Sequence, residues 1–171
     1  MAVWRHVRAI GLLPGTGVVF VPGLILALTD TDVGWGLGGA LQALPILLGT
    51  ILICAGLALM HRTITLFARE GDGTLAPWDP TRRLVVRGPY RFVRNPMIVG
   101  VLAVILGEAA LFGSRGILIW GLAFFAVNAV WFPVVEEPGL VRRFGEAYEA
   151  YRRNVPRWVP RRTPWTPPPQ G

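Results

Sequence analysis

A chain of 171 residues that is 53% hydrophobic and only 16% charged, with a mean hydropathy of +0.49, is too apolar for an ordinary soluble domain. One membrane domain covering residues 1–171 is the natural reading. The net charge of +7 comes from 17 basic residues, all of them Arg; because these flank the apolar runs, anionic lipid headgroups explain them and no nucleic-acid partner is expected.

Taken in chain order, the first run is residues 9–28, since nothing ionisable lies between Arg8 and Asp30. A cleaved signal peptide is the competing reading. The run is long for that, contains Pro14 and Pro22, and lacks a clear small-x-small cleavage site. Further spans are expected at residues 42–60, 96–113 and 116–135. A helix crosses the hydrocarbon with about 20 apolar residues, and helices pair every backbone amide internally. The lone Cys54 lies inside the second span, so no internal disulfide is expected, and no His/Cys cluster suggests a metal. The fold class is therefore all-α: a bundle of four transmembrane helices, a loop at 61–95 and a tail at 136–171. The tail begins as an amphipathic helix, with Val141, Phe144, Tyr148 and Tyr151 at spacings of three and four. Beyond Val155 the Pro-rich end is expected to be extended or disordered.

Orientation follows from counting Arg. The segments between spans carry two, none, seven, one and seven, which fits the positive-inside rule throughout. Both termini, the long loop and the tail are expected in the cytoplasm, in a bacterial inner membrane.

That topology gathers chemistry at one depth, because residues 96–113 and 116–135 form a hairpin whose ends meet at the cytoplasmic face. One end carries Gly88-Pro89-Tyr90-Arg91-Phe92-Val93-Arg94-Asn95-Pro96 and the other Glu136-Glu137-Pro138, while His61 and Arg62 end the second span at the same level. Ionisable groups at membrane depth mark function by default. Asn95 is a favoured N-cap and Pro96 a favoured first helical residue. The helix start either only caps, or offers its free amides to a carboxylate or phosphate. Glu136-Glu137 opposes the dipole of a helix ending there, so a cation should sit beside it: an Arg from the loop or a bound one. Equally, the pair could serve the first turn of the next helix. Glu108, about 18 Å up its helix, is expected near water or Arg115. Gly71-Asp72-Gly73 reads as a turn, Asn128 as an interhelical hydrogen bond, and Gly100 as a close approach of a helix or a ligand.

The stretches from Gly71 to Pro80 and from Leu84 to Met97, then Glu136-Glu137-Pro138, then Phe144 to Arg157, resemble the isoprenylcysteine carboxyl methyltransferase and phospholipid methyltransferase superfamily. The resemblance covers roughly the last 100 residues, and the first two spans match only as generic membrane helices. It implies S-adenosylmethionine bound at the cytosolic face and a lipid or lipophilic acceptor that enters from the bilayer. By position it implies a cofactor site of Arg82, Arg83, Leu84, Val85, Tyr90, Arg91, Asn95, Pro96, Met97, Ile98, Gly100, Glu136 and Glu137. His61, Tyr90 and Arg94 are the candidate catalytic groups. Glu136 would hold the cofactor's ammonium or ribose hydroxyls, and Arg91 or Arg94 its carboxylate. Asn95 stands where the family often has His, so a base at that position is not expected. Isoprenylcysteine enzymes carry an Arg one turn before the Glu; Phe132 stands here, which favours an uncharged or amine-bearing acceptor over a free carboxylate. The remaining alternatives are an isoprenylcysteine carboxyl O-methyltransferase, a sterol-reductase-like enzyme with a nicotinamide cofactor, and a non-enzymatic membrane module.

Overall fold

The computed structural model describes residues 11–70 and 84–167, and these are all-helical apart from turns and extended connections. Gly71-Asp72-Gly73 and two of the expected cofactor residues, Arg82 and Arg83, lie outside the described residues. A π-helical stretch, Gly11–Phe20, leads into α1, Val21–Leu28. Pro14, with no amide to donate, sits in that wider register. α2 is Ala43–Glu70, α3 is Pro96–Phe112 and α4 is Arg115–Trp131. A π-turn, Phe132–Glu136, joins α4 to α5, Glu137–Asn154.

Two helical stretches, Gly39–Leu66 and Arg115–Asn154, are long and apolar enough to cross a membrane, while Gly15–Leu28 and Pro96–Phe112 are apolar but shorter. Their outer faces are apolar too. Leu44, Leu47, Leu48 and Ile51 on α2, and Ile119, Leu122, Val127 and Val130 on α4, are all exposed. Apolar surface on this scale marks contact with lipid or another protein.

Two helix boundaries differ from those expected. α2 runs ten residues beyond Met60, because Arg62 and Arg69 end the hydrocarbon stretch without ending the helix: no Gly or Pro falls before Gly71. The helix that starts at Arg115 likewise runs on through Pro133 and Pro138, as far as a kink at Gly145, whose φ of 52° is non-helical. Pro133 removes one amide donor, and the helix absorbs this by widening, with the Glu137 amide bonded to the Phe132 carbonyl five residues back. Glu136 and Glu137 thus lie within a continuous helix, at neither end of one, and no terminal dipole acts on them.

α2 and α3 pack antiparallel along a glycine seam. A Cβ on Gly49 would stand 2.6 Å from the Gly107 carbonyl oxygen, and one on Gly56 2.6 Å from that of Gly100. Both pairs are seven residues apart, the repeat that keeps one seam facing a partner at a shallow crossing angle. Small residues let the backbones touch where lipid offers no hydrophobic drive. Gly100 is therefore accounted for by Gly56 and Met60 of α2. Met60, Val101, Val104, Ile105, Ala109 and Ile117, with Val18, form the core around this seam. Gly56→Leu should lower the melting midpoint in detergent by the cost of overpacking, about 1–3 kcal/mol or more; an unchanged midpoint would show that the seam does not close as described.

The α3–α4 hairpin turns at Gly113, whose φ of 60° is left-handed, so glycine closes the helix there without strain. Ser114 then caps α4, its Oγ accepting from the Ile117 amide at 3.3 Å. Asn128 donates within its own helix, to the Phe124 carbonyl at 2.7 Å, and among the described residues not to another helix.

Candidate functional site

Residues 88–95 enter the bundle as a short 3-10 turn, Gly88–Arg91, followed by the start of α3 at Pro96. Asn95 occupies the N-cap position, as the sequence suggests, but its side chain makes no cap bond. Its Nδ2 is buried without a hydrogen-bond partner among the described residues, and so is Nε of the adjacent Arg94. The amides of Met97 and Ile98, the first that α3 offers after Pro96, precede the helix's own bonding pattern. Two side-chain donors on adjacent residues thus have no acceptor among the described residues. A buried donor without an acceptor costs about 1–3 kcal/mol, so this corner favours an incoming carboxylate or hydroxyl oxygen.

Across from it, the π-turn brings Glu137 to Arg94. The Arg94 Nη1 to Glu137 Oε1 distance is 2.7 Å, with the two side chains 10% and 8% exposed. Arg157 from the tail completes the group, its Nε donating to Oε1 at 2.6 Å and its Nη2 to Oε2 at 3.0 Å. The hydrogen bonds to Glu137 raise the Arg157 pKa. The loop Arg that the sequence offered as a partner for the carboxylate pair is indeed there, for Glu137. Two guanidiniums share one carboxylate, which leaves an excess positive charge beside the unpartnered donors. Glu136, half-buried, forms no bond with a described residue; desolvation by burial raises its pKa, and Arg143 works in the opposite direction.

Tyr90 is buried, and its carbonyl accepts from the Tyr151 hydroxyl at 2.7 Å. Burial, with the neighbouring Tyr151, pushes its phenol well above the usual range. A phenolate there is costly, so Tyr90 can wall or donate but is a poor base. Arg91 is committed to the tail: Nε donates to the Trp165 carbonyl at 2.8 Å and Nη2 to Thr166 Oγ1 at 2.6 Å. His61 is exposed on α2, off the seam that holds Met60 and Thr63, and makes no bond with the Arg94–Glu137–Arg157 group. Leu84 packs with Val86 against Tyr148, Tyr151 and Val155; Val85 is buried, as is Pro96, while Met97 faces the main core. Ile98 is half-buried.

The tail is the part that sequence reasoning missed. Residues 156–167 have no regular element, yet they are fixed along the loop. The Arg94 amide donates to the Pro156 carbonyl, the Arg161 amide to that of Phe92, and the Trp165 amide to that of Arg91, each at 2.9 Å. Arg157, Trp165 and Tyr151 hold the site together. The available signal was Trp and Arg placed inside a Pro-rich run, where a plain disordered end needs neither.

A family model described as phospholipid methyltransferase matches residues 44–147, well over half of the chain. The chain belongs to the phospholipid methyltransferase family. Its match begins in α2, so the second span is part of the family likeness and more than a generic helix. It encloses Arg94, Asn95, Glu136 and Glu137 and stops short of Arg157 and Trp165. Among curated proteins, the Protein-S-isoprenylcysteine O-methyltransferase of Schizosaccharomyces pombe (strain 972 / ATCC 24843) is 38% identical over 83 residues, 45% of this chain and 33% of that protein. The chain thus covers about a third of the length of that relative. No solved structure matches it.

Proposed function

We propose that this family member is a membrane-integral, S-adenosylmethionine-dependent methyltransferase that acts at the cytosolic face on a lipid or small lipophilic acceptor. The observation that carries it is the corner at the start of α3, where buried donors of Arg94 and Asn95 lack acceptors beside a continuous helix bearing Glu136. Those donors fit the oxygens of the cofactor, and a half-buried carboxylate fits its ammonium or ribose hydroxyls. S-adenosylmethionine supplies, when bound, a methyl group on an activated sulfonium with a neutral thioether as leaving group.

In this account Asn95 and the Met97 and Ile98 amides hold a carboxylate, and Glu136 holds the opposite charge. Arg94, next to Asn95 and fixed by Glu137, keeps its Nε without a partner among the described residues. Arg82, Arg83, Leu84 and Val85 border the cofactor from the loop, and Arg91 shapes the site by gripping the tail. Tyr90 walls the site and keeps its proton. His61, at the water edge, is the group left to take a proton from the acceptor through its ring. Holding the reactants in line is most of what methyl transfer requires of a protein.

The chain crosses the membrane four times in this reading, with α5 as an amphipathic tail helix and both termini cytoplasmic. Phe132, against Trp158, favours an uncharged or amine-bearing acceptor. The likeness to the yeast O-methyltransferase supports a second reading, in which the acceptor is the carboxylate of a prenylated cysteine. Sealed vesicles test both the reaction and its sidedness, because charged S-adenosylmethionine does not cross a bilayer. Labelled methyl should enter lipid-soluble product from inside-out vesicles and not from right-side-out ones. Transfer only to an added farnesylcysteine analogue would select the second reading; label incorporated only from right-side-out vesicles would reject the topology.

A further inference from the structure

The tail reaches further than the site requires. From Arg157, paired with Glu137, it runs through Trp158, Val159 and Pro160 to Arg161. Arg161 is anchored in turn, its Nη1 donating to the Asn154 carbonyl at 2.6 Å and its amide to the Phe92 carbonyl at 2.9 Å. Between those anchors the Trp158 ring meets two rings of the helix that continues from α4, edge-on. Its centroid lies 5.5 Å from that of Phe132 and 5.5 Å from that of Phe125. Phe125 and Phe132 are seven residues apart, about 10 Å of helix rise. The indole therefore spans about two turns of helix wall and reaches toward the middle of Arg115–Trp131. The same face continues to Leu122, which is 60% exposed, and Val159 beside the indole is 73% exposed.

We propose that Trp158-Val159-Pro160 is a wedge inserted into the bilayer leaflet at the Glu136 end of α4, lying on that helix's lipid-facing side. The occupant of the uncovered apolar surface is lipid acyl chain. The charges around it fit. Arg157, Arg161 and the exposed Arg162 flank the three apolar residues, so guanidiniums stand at headgroup level while the side chains between them dip inward. Tryptophan is at home at that boundary. The backbone need not go deep: its flanks are held to the Phe92, Asn154 and Glu137 anchors, and Pro160 has no amide to satisfy. The proposal rests on α4 crossing a membrane and is independent of methyl transfer.

Nitroxide-labelled Val159→Cys in a Cys54→Ser background tests it, with the full chain in vesicles of phosphatidylcholine and phosphatidylglycerol and with Thr163→Cys as the companion site. Oxygen partitions into hydrocarbon, whereas a neutral nickel chelate stays in water. The ratio of oxygen to chelate accessibility should exceed one at residue 159 and fall below one at residue 163. Chelate-favoured collisions at 159 would place it in water. Low accessibility to both reagents would place it under protein, as in a second copy of the chain, and an oxygen-favoured 163 would remove the boundary at the Arg anchors. Each of these overturns the wedge.

Discussion

Glu137→Ala should cost about 3–5 kcal/mol of stability, the penalty for leaving buried charge without its partner. Arg94 and Arg157 lose their shared counter-ion together, and the Arg94 side chain is only 10% exposed. The tail should loosen at the same time, because Arg157 is the side chain that ties it to Glu137, next to the Pro156 carbonyl held by the Arg94 amide. Limited trypsin digestion would then cut at Arg157 and Arg161, and the melting midpoint in detergent would fall. Glu137→Gln, which keeps an acceptor but no charge, should lie between the alanine variant and the parent. An alanine variant with the parent's midpoint and a protected tail would show that the ion-pair group is not what holds loop, helix and tail together.

The second expected result has the opposite signature. Asn95→Ala and Glu136→Gln should leave stability nearly unchanged while weakening S-adenosylmethionine binding. Asn95 makes no cap bond and its Nδ2 has no partner, so the fold loses little when it goes. Glu136 forms no bond with a described residue. A hydrogen bond to a charged group contributes about 1.5–3 kcal/mol, so each variant should lose roughly ten- to a hundredfold in affinity. Parent-like affinity in both would place the cofactor elsewhere; a large drop in melting midpoint would give the residues a structural role instead.

The pattern of apolar runs made the helices legible, and Pro96 and Gly113 marked the ends of α3 because each has a backbone reason to stand there. Other boundaries were hidden for the converse reason. The fourth span was expected to end at residue 135 with a new helix beginning near Pro138, yet a π-turn over Phe132–Glu136 carries the helix through both Pro133 and Pro138, and no single-residue preference signals that. Asn95 was placed correctly as a cap position and wrongly as a cap bond, since its side-chain direction depends on what surrounds it. The gathering of loop and hairpin end was readable from topology. The choice of Glu137 over Glu136 as the ion-pair partner was not, because it depends on the extra residue of the bulge. Arg157 lies 20 residues from Glu137 and Arg91 74 residues from Trp165, and pairings at such separation leave no local trace.

Isothermal calorimetry on the purified full chain in detergent addresses the central claim most directly, with S-adenosylmethionine and a reduced nicotinamide dinucleotide titrated separately. Saturable binding of S-adenosylmethionine, weakened by Asn95→Ala and Glu136→Gln and absent for the dinucleotide, is the expected result. Binding of the dinucleotide alone would make this a reductase site, and a folded protein that binds neither would contradict the account.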